Sequence, residues 1–428
     1  MSKTNHSNAQ SIELVRPFAA LMPTPAQVAK VAAPPYDVVS ETEARMFAEG
    51  NPSHFLHVSR PEIDFPVGID PYRDMVYEKA GENLGRMIRE GVLKRQQHPG
   101  YYLYELHSGD HVQAGIAAVS SLKAYEEGRI RRHELTRPVK ENDRARHMEV
   151  IDAQTGPVFL VCEDSQTLTD LLAESRKIPP DLDFEARDGV RHIIRVISEP
   201  DKITAISEHF AGVDSLYIAD GHHRSAAAAR VAALRHATNP QHTGYEPYNF
   251  FLTVIFPKNQ VRILDYNRVV RNLNGLSPTD FLRRVGETFE LVETNHPVRP
   301  KLRNEFGLYV FGKWYRLILP TARIPDQDPV ARLAVSLLTD YLLQPILGIR
   351  DLRQDQRIDF VGGIRGVGEL QHQVDHGEMA AAFSLYPTRI SELLAVADAG
   401  LLMPPKSTWF EPKLADGLLS YALESRGV

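Results

Sequence analysis

The sequence contains a single cysteine, Cys162, among its 428 residues. One thiol cannot form an internal disulfide, and it excludes metal sites built from several cysteines. Cys162 ends an apolar run, where core packing is its expected role. The sequence also lacks any stretch that approaches the ~20 apolar residues needed to span a bilayer. Residues 1–10 are polar and have no apolar segment of the signal-peptide type, so the expected location is the cytoplasm.

Basic tracts are also missing. The formal net charge is -6 and the isoelectric point is near 6.3. Nucleic acid is therefore an unexpected partner, because its binding usually needs a positive surface. The 43% hydrophobic and 24% charged residues are typical of a folded globular protein with a full core.

The predicted elements alternate irregularly and include frequent hairpins. This pattern favours an α+β fold with mixed sheets and flanking helices over a regular doubly wound sheet. The length is compatible with two or three domains. The expected organisation is a disordered N-terminus at 1–12, an α/β portion at 13–240 and a second α+β portion at 241–428, with weakly marked boundaries. Residues 328–345 are predicted to form the most apolar helix.

The most distinctive stretch is a strand that runs into a tight turn and a helix. Residues 216–219 are apolar, and an alanine-rich helix follows to about residue 238. The start of such a helix presents free backbone N–H groups and the positive end of its dipole, which suit a phosphate or carboxylate. The candidate site residues in this turn are Asp220, Gly221, His222, His223, Arg224 and Ser225.

Each residue type in this turn has a chemical use. Gly221 permits a sharp turn, and the guanidinium of Arg224 can bind two phosphate oxygens. The imidazoles of His222 and His223 can move protons near neutral pH, and Asp220 could act as a base or hold a cation. An Asp-Gly turn beside a histidine cap is also compatible with a purely structural role.

A second group of charged side chains lies at residues 129–144. Pro138 excludes a helix through its centre, and a helix is predicted from near Glu141. Folded over a phosphate, the basic residues would donate charge-assisted hydrogen bonds, whereas an exposed segment would only be a solvated loop. Glu134 could be a general base, and Asp143 could bind Mg²⁺. The candidates are His133, Glu134, Thr136, Arg137, Lys140, Asp143 and Arg144.

Three shorter motifs give weaker indications. Residues 34–37, Pro-Pro-Tyr-Asp, form a rigid turn that could be a lid or plain packing. Residues 362–368 are glycine-rich but match neither the dinucleotide-binding nor the P-loop spacing. Lys406 and Ser407 follow a proline pair and could either reach a phosphate or belong to a packed C-terminal strap.

Motifs spread over nearly the whole chain resemble one bacterial and archaeal family of domains of unknown function. Such a family implies little about activity. The motifs are Arg16-Pro17-Phe18, Ala33-Pro34-Pro35-Tyr36-Asp37-Val38, His133-Glu134-Leu135-Thr136-Arg137-Pro138, Asp220-Gly221-His222-His223-Arg224 and Met403-Pro404-Pro405-Lys406-Ser407-Thr408.

The motif at 220–224 is also similar to the signature of the ParB/sulfiredoxin-like superfamily, notably its free-serine kinases. This resemblance implies that the strand, turn and helix bind nucleotide phosphates, and that a glutamate elsewhere activates the serine hydroxyl. Glu134 is nominated for that role by its chemistry alone. Sulfiredoxin activity is disfavoured, because its reactive cysteine lies in this turn, where the chain has Gly221 and His222.

These observations predict a phosphotransferase that acts on a small hydroxylated metabolite, with free L-serine as the best candidate. The donor would be a nucleotide or pyrophosphate, and Mg²⁺ is an optional cofactor. Two alternatives stay open: a nucleotide-binding regulatory module without fast chemistry, and a metal-dependent hydrolase with zinc on His133, His222 and His223. The expected partners are the substrate and the phosphate donor, and the sequence does not specify the oligomeric state.

Overall fold

A computed structural model describes residues 13–424, so the predicted disordered segment at 1–12 lies outside the described residues. The chain divides into two compact units. Of the described residues, the first unit contains 13–131, 136–260 and 412–424, and the second contains 132–135 and 261–411. The predicted division after residue 240 thus falls inside the first unit, because the strand that follows it pairs within that unit's main sheet.

The helices alternate with strands along the chain. They are α1 (Val28–Val31), α2 (Glu41–Ala48), α3 (Leu56–Ser59), α4 (Asp74–Arg89), α5 (Leu122–Glu126), α6 (Pro138–Ile151), α7 (Gln166–Ser175), α8 (Pro200–Ala211), α9 (His222–Thr238), α10 (Pro278–Gly286), α11 (Ala334–Leu338), α12 (Gly366–Asp375) and α13 (Ile390–Asp398).

The strands are β1 (Val15–Arg16), β2 (Leu21–Pro23), β3 (Leu93–Arg95), β4 (Tyr101–Ser108), β5 (His111–Ser121), β6 (Ile130–Arg131), β7 (Ala153–Gln154), β8 (Val158–Cys162), β9 (Leu182–Glu185), β10 (Arg191–Ile197), β11 (Leu216–Asp220), β12 (Phe250–Pro257), β13 (Arg262–Leu264), β14 (Tyr266–Val270), β15 (Glu290–Thr294), β16 (Glu305–Val310), β17 (Lys313–Ile318), β18 (Ile358–Gly362), β19 (Ala381–Leu385), β20 (Trp409–Glu411) and β21 (Tyr421–Ala422).

The first unit is built on a nine-stranded sheet in the order β6-β11-β8-β12-β5-β4-β10-β9, with β1 pairing beside β5. The β6–β11 and β8–β12 pairs are parallel, whereas β11–β8 and β12–β5 are antiparallel. A mixed sheet with helices around it is the α+β class that the sequence predicts, and that prediction is confirmed.

The interior of this sheet is tightly packed. A side chain at Gly115 would place its Cβ only 2.6 Å from the carbonyl oxygen of Ile255 on the neighbouring strand β12. Cys162, at the end of β8, is 1% exposed, and its thiol donates to the carbonyl of Phe256 at 3.6 Å. The expected packing role of this cysteine is therefore confirmed.

Two helices of the first unit, α6 and α9, lie side by side and run in the same direction. Arg230 of α9 donates to the side-chain oxygen of Asn142 on α6. Further along both helices, Arg235 pairs with Glu149 at 2.9 Å and with Asp152 at 2.8 Å. The N-termini of the two helices consequently lie at the same end of the pair.

The spacing of Ser40 and Glu43 predicts a capped start for helix α2, and the structure shows it. Oγ of Ser40 accepts the backbone N–H of Glu43 at 3.2 Å, and the Glu43 carboxylate accepts the backbone N–H of Ser40 at 2.8 Å. This reciprocal pair is a capping box. Within residues 13–424, none of the helices combines the length and apolarity needed to cross a membrane.

The second unit contains a six-stranded antiparallel sheet in the order β15-β17-β16-β19-β14-β18. Strand β13 pairs with β20 in a separate two-stranded sheet. The prediction of one long apolar helix at 328–345 is wrong. The α-helix α11 covers only Ala334–Leu338, and a π-helical turn follows it at Thr339–Leu343. Helix α12 packs on the six-stranded sheet through Val367 and Leu370.

Candidate active site

The predicted strand, turn and helix are present in the first unit. β11 ends at Asp220, and α9 begins at His222. Gly221 between them has φ 101° and ψ 26°, a conformation that favours glycine. A Cβ at this position would also lie 3.1 Å from Nε of Arg224. The chain therefore needs glycine here, both for its backbone conformation and for the close approach of the Arg224 side chain.

The N-termini of α6 and α9 meet at His223. The backbone N–H of Arg137, the residue before α6, donates to Nε2 of His223 at 3.0 Å. Pro138 occupies the first helical position, where a backbone N–H would have no partner within the helix, so its absence costs nothing. The positive ends of two helix dipoles thus converge. The sequence does not indicate that residues 136–144 and 220–225 meet, and the structure brings them together.

Exposed cationic side chains lie at this shared end. Arg137 and Lys140 are both exposed, and their side chains make no ion pair with another residue of 13–424. Thr136 next to them donates its hydroxyl to Glu141 at 3.0 Å. Two free cations beside two helix N-termini make this end of the α6–α9 pair suited to an anion.

Arg224, predicted as a phosphate ligand, is only 6% exposed and is bound internally. Its Nη1 donates to the carbonyl oxygen of Pro157 at 2.5 Å, and its Nη2 lies 3.6 Å from Asp220. Nζ of Lys413 also contacts Asp220, at 3.3 Å. Burial alone would raise the pKa of Asp220, but Lys413 and Arg224 outweigh it and hold that pKa well below its usual range.

Arg144 and Asp143 form a buried pair on α6, with Nε of Arg144 donating to Oδ2 of Asp143 at 3.0 Å. The guanidinium carbon lies 4.1 Å from the ring centre of Tyr36. The other carboxylate oxygen of Asp143 accepts the hydroxyl of Tyr77 at 2.9 Å. Because both of its carboxylate oxygens are engaged, Asp143 does not fit the predicted Mg²⁺ site.

Two predicted hydroxyl ligands bond within their own turns. Ser225 is fully buried, and its hydroxyl donates to the carbonyl of His222 at 3.0 Å. Ser407 donates to the carbonyl of Pro404 at 2.6 Å, in the second unit. The structure thus differs from the expectation that these hydroxyls face a phosphate. Lys406 is exposed and has φ 58°.

Asp416 is a site residue that the sequence analysis missed. It is 2% exposed, and the backbone N–H of Tyr36 donates to its carboxylate. Burial raises the pKa of Asp416 to about 7, with Arg224 lowering it and Asp37 raising it. The sequence gives only a weak indication of this residue. Asp416 precedes Gly417 as Asp220 precedes Gly221, but no sequence pattern indicates that the two segments lie close together.

The His133-Glu134 segment and the glycine-rich stretch at 362–368 lie in the second unit. The carbonyl of His133 accepts the backbone N–H of Met403 at 2.8 Å, and Glu134 follows in the same segment. The role of Glu134 as a base stays a prediction. In the glycine-rich stretch, a Cβ at Gly362 would lie 2.7 Å from the ring of Trp409, so packing explains this glycine without a phosphate.

The chain belongs to the family described as protein of unknown function (DUF1015), which matches residues 15–336. The resemblance carried by the sequence motifs is thereby confirmed. None of the curated proteins matches the chain.

Several solved structures are similar to the chain at low identity. A free serine kinase variant in complex with AMP is 14% identical over 69% of this chain and 87% of that chain, with a TM-score of 0.35. A conserved hypothetical protein from Pyrococcus furiosus is 14% identical over 70% and 94%, with a TM-score of 0.33. SbnI with a C-terminal truncation, from Staphylococcus aureus, is 10% identical over 73% and 90%, with a TM-score of 0.36.

Proposed function

We propose that the first unit is a phosphotransferase that moves a phosphoryl group from a nucleotide or pyrophosphate to a small hydroxylated metabolite, with free L-serine as the favoured acceptor. The observation that carries the proposal is the meeting of two helix N-termini beside two exposed cations. Phosphoryl transfer requires a protein mainly to position phosphates and neutralise their charge. The similarity of the motif at 220–224 to that of free-serine kinases supports serine as the acceptor.

In this proposal the phosphates of the donor lie at the N-terminal end of the α6–α9 pair. The backbone N–H groups of the first turn of α9 bind them from one side. Arg137 supplies a planar fork for two oxygens, and Lys140 supplies a compact charge. Neither side chain has to break an existing ion pair within residues 13–424 to do so.

The buried arginines act indirectly. Arg224 holds the turn in place through its hydrogen bond to the carbonyl of Pro157. Arg144 orders the segment of Tyr36 by stacking on its ring. Both are therefore positioning residues in this scheme. Asp220 shares that role, because a carboxylate held ionised by Lys413 and Arg224 accepts a proton poorly at neutral pH.

His223 is the imidazole whose protonation the geometry specifies. Its Nε2 accepts the N–H of Arg137, so in this arrangement its ring proton lies on Nδ1. A neutral imidazole can take up or give a proton near neutral pH.

The test is a product assay with purified protein, L-serine and ATP, ADP or pyrophosphate as donor, with O-phosphoserine detected by phosphorus NMR. The double variant Arg137→Ala/Lys140→Ala is expected to lose about 100-fold or more in turnover, because it removes both free cations from the phosphates. Arg146→Ala is the matched control, since Arg146 lies on the same helix, is half exposed and pairs with Asp74 at 2.8 Å.

Two results would count against the proposal. Unchanged turnover in the double variant would mean that the phosphates bind elsewhere. Donor binding without any product, measured by calorimetry with the same donors and several hydroxylated acceptors, would favour the regulatory module instead.

A further inference from the structure

We propose that Asp416 receives a positively charged group of the acceptor, so that the substrate is a hydroxylated amino acid bound through its ammonium group. This inference rests on the proposed function and deepens it by assigning a residue to the acceptor.

The backbone at Asp416 is held firmly. Its N–H donates to the carbonyl of Ala33 at 2.9 Å, and its own carbonyl accepts the N–H of Ala33 at 3.1 Å. The next residue, Gly417, has φ 84°, and a Cβ there would lie 2.6 Å from the ring of Phe55. The carboxyl group of Asp416 is therefore fixed in place before any ligand arrives, as a binding residue should be.

One oxygen of this carboxyl group lacks a partner. Oδ1 of Asp416 is buried and makes no hydrogen bond within residues 13–424. A buried acceptor is costly to leave unpaired, so such an atom is rarely found without a reason. A donor supplied by a ligand would satisfy it.

Charged groups of both signs surround Asp416. Asp37, Arg144 and Arg224 face its carboxyl group, together with the neutral phenol of Tyr104 and the backbone N–H of Tyr36. Asp37 makes no hydrogen bond or ion pair of its own within residues 13–424. The wider cluster also contains Asp143, Asp220, Lys413 and the imidazole of His222, which acts on Asp220.

The nearby cations are paired with other carboxylates. Arg144 is paired with Asp143, and Arg224 and Lys413 are paired with Asp220, whereas Asp416 makes no ion pair within residues 13–424. Without a ligand, a proton neutralises the carboxyl group of Asp416, as its raised pKa of about 7 indicates. With a ligand, an ammonium group can replace that proton.

The residue beside the unpaired oxygen is glycine. A Cβ at Gly156 would lie 3.1 Å from Oδ1 of Asp416 and 3.3 Å from Cδ of Arg224. Any other residue would thus crowd Oδ1 of Asp416 and the side chain of Arg224. The exchange balances: the neutral carboxylic acid and R–NH3⁺ give a carboxylate–ammonium pair and one proton, which leaves to solvent.

The experiment is isothermal titration calorimetry at pH 6.5 in two buffers of different ionisation enthalpy, which measures proton release. The probes are L-serine, L-homoserine and 3-hydroxypropionate, the last of which keeps the hydroxyl but lacks the ammonium group. The wild-type protein is expected to bind at least one amino acid at least tenfold more tightly than 3-hydroxypropionate, with release of a proton. Asp416→Asn should abolish both the preference and the release, whereas Asp110→Asn at an exposed hairpin turn should change neither.

The outcomes separate this inference from the proposed function. Equal affinity for the amino acids and 3-hydroxypropionate, or no binding of either amino acid, overturns the role of Asp416 even if phosphoryl transfer to another hydroxyl is observed. Proton release by an amino acid that is lost in Asp416→Asn supports the role of Asp416, even if no donor yields product and the proposed function fails. The comparison of probes on wild-type protein does not depend on the variant being folded.

Discussion

Asp416→Asn should make the stability of the first unit less sensitive to pH. The carboxyl group has a pKa of about 7 in the folded chain, against a usual value of 3.8. Below pH 3.8 the carboxyl group is protonated in both the folded and unfolded states, so its burial does not lower the free energy of unfolding there. As pH rises from that value towards 7, the unfolded chain releases the proton more readily, and stability falls.

The size of this effect follows from the shift. A shift from 3.8 to about 7, at about 1.4 kcal/mol per pKa unit, corresponds to about 4 kcal/mol of stability lost between pH 4 and pH 8. Asparagine keeps the shape and an acceptor for the Tyr36 N–H but cannot ionise. The free energy of unfolding of Asp416→Asn, minus that of wild type, should therefore increase with pH by an amount of this order.

The assay is urea unfolding at several pH values from 4.5 to 8.5. Both tryptophans, Trp314 and Trp409, lie in the second unit, so their fluorescence reports on that unit. Far-UV circular dichroism has to be recorded beside it to follow the first unit. A difference between variant and wild type that stays constant across this range would refute the reasoning, because it would mean that Asp416 titrates as an ordinary carboxyl group.

Two further substitutions test the turn and the buried pair. Gly221→Ala should destabilise the first unit by about 1–3 kcal/mol and abolish phosphoryl transfer, because φ 101° is unfavourable for alanine; urea unfolding and the product assay check it, and a variant with wild-type values in both would contradict it. Tyr77→Phe should cost about 1.5–3 kcal/mol, because its hydroxyl donates to the buried carboxylate of Asp143 at 2.9 Å; an unfolding free energy equal to that of wild type would show that this bond contributes nothing net.

Local features were predictable from the sequence because neighbouring residues determine them. The capping box at Ser40 and Glu43 needs only two residues three positions apart. The turn at Gly221 needs a strand before it and a helix after it, and both are visible as patterns. The predicted site residues in that turn were therefore placed on the correct elements.

Contacts between distant segments were not predictable. Asp416 lies beside Tyr36 because a backbone bridge joins Asp416 to Ala33. No sequence pattern in either segment predicts that bridge. For the same reason, the carboxylate of Asp143 was a possible Mg²⁺ ligand in the sequence, whereas in the fold its two oxygens bind Tyr77 and Arg144. Sequence patterns identify which groups are available, and tertiary contacts decide which of them remain free.

The location of the single cysteine has a practical consequence. Burial raises the pKa of the Cys162 thiol to about 12, so at neutral pH the group is both shielded and uncharged, and thiol reagents attack the thiolate. A second cysteine introduced at an exposed position would be the one reactive thiol of the folded protein. A single fluorophore could thus be attached beside α6 or α9 without first removing the native residue.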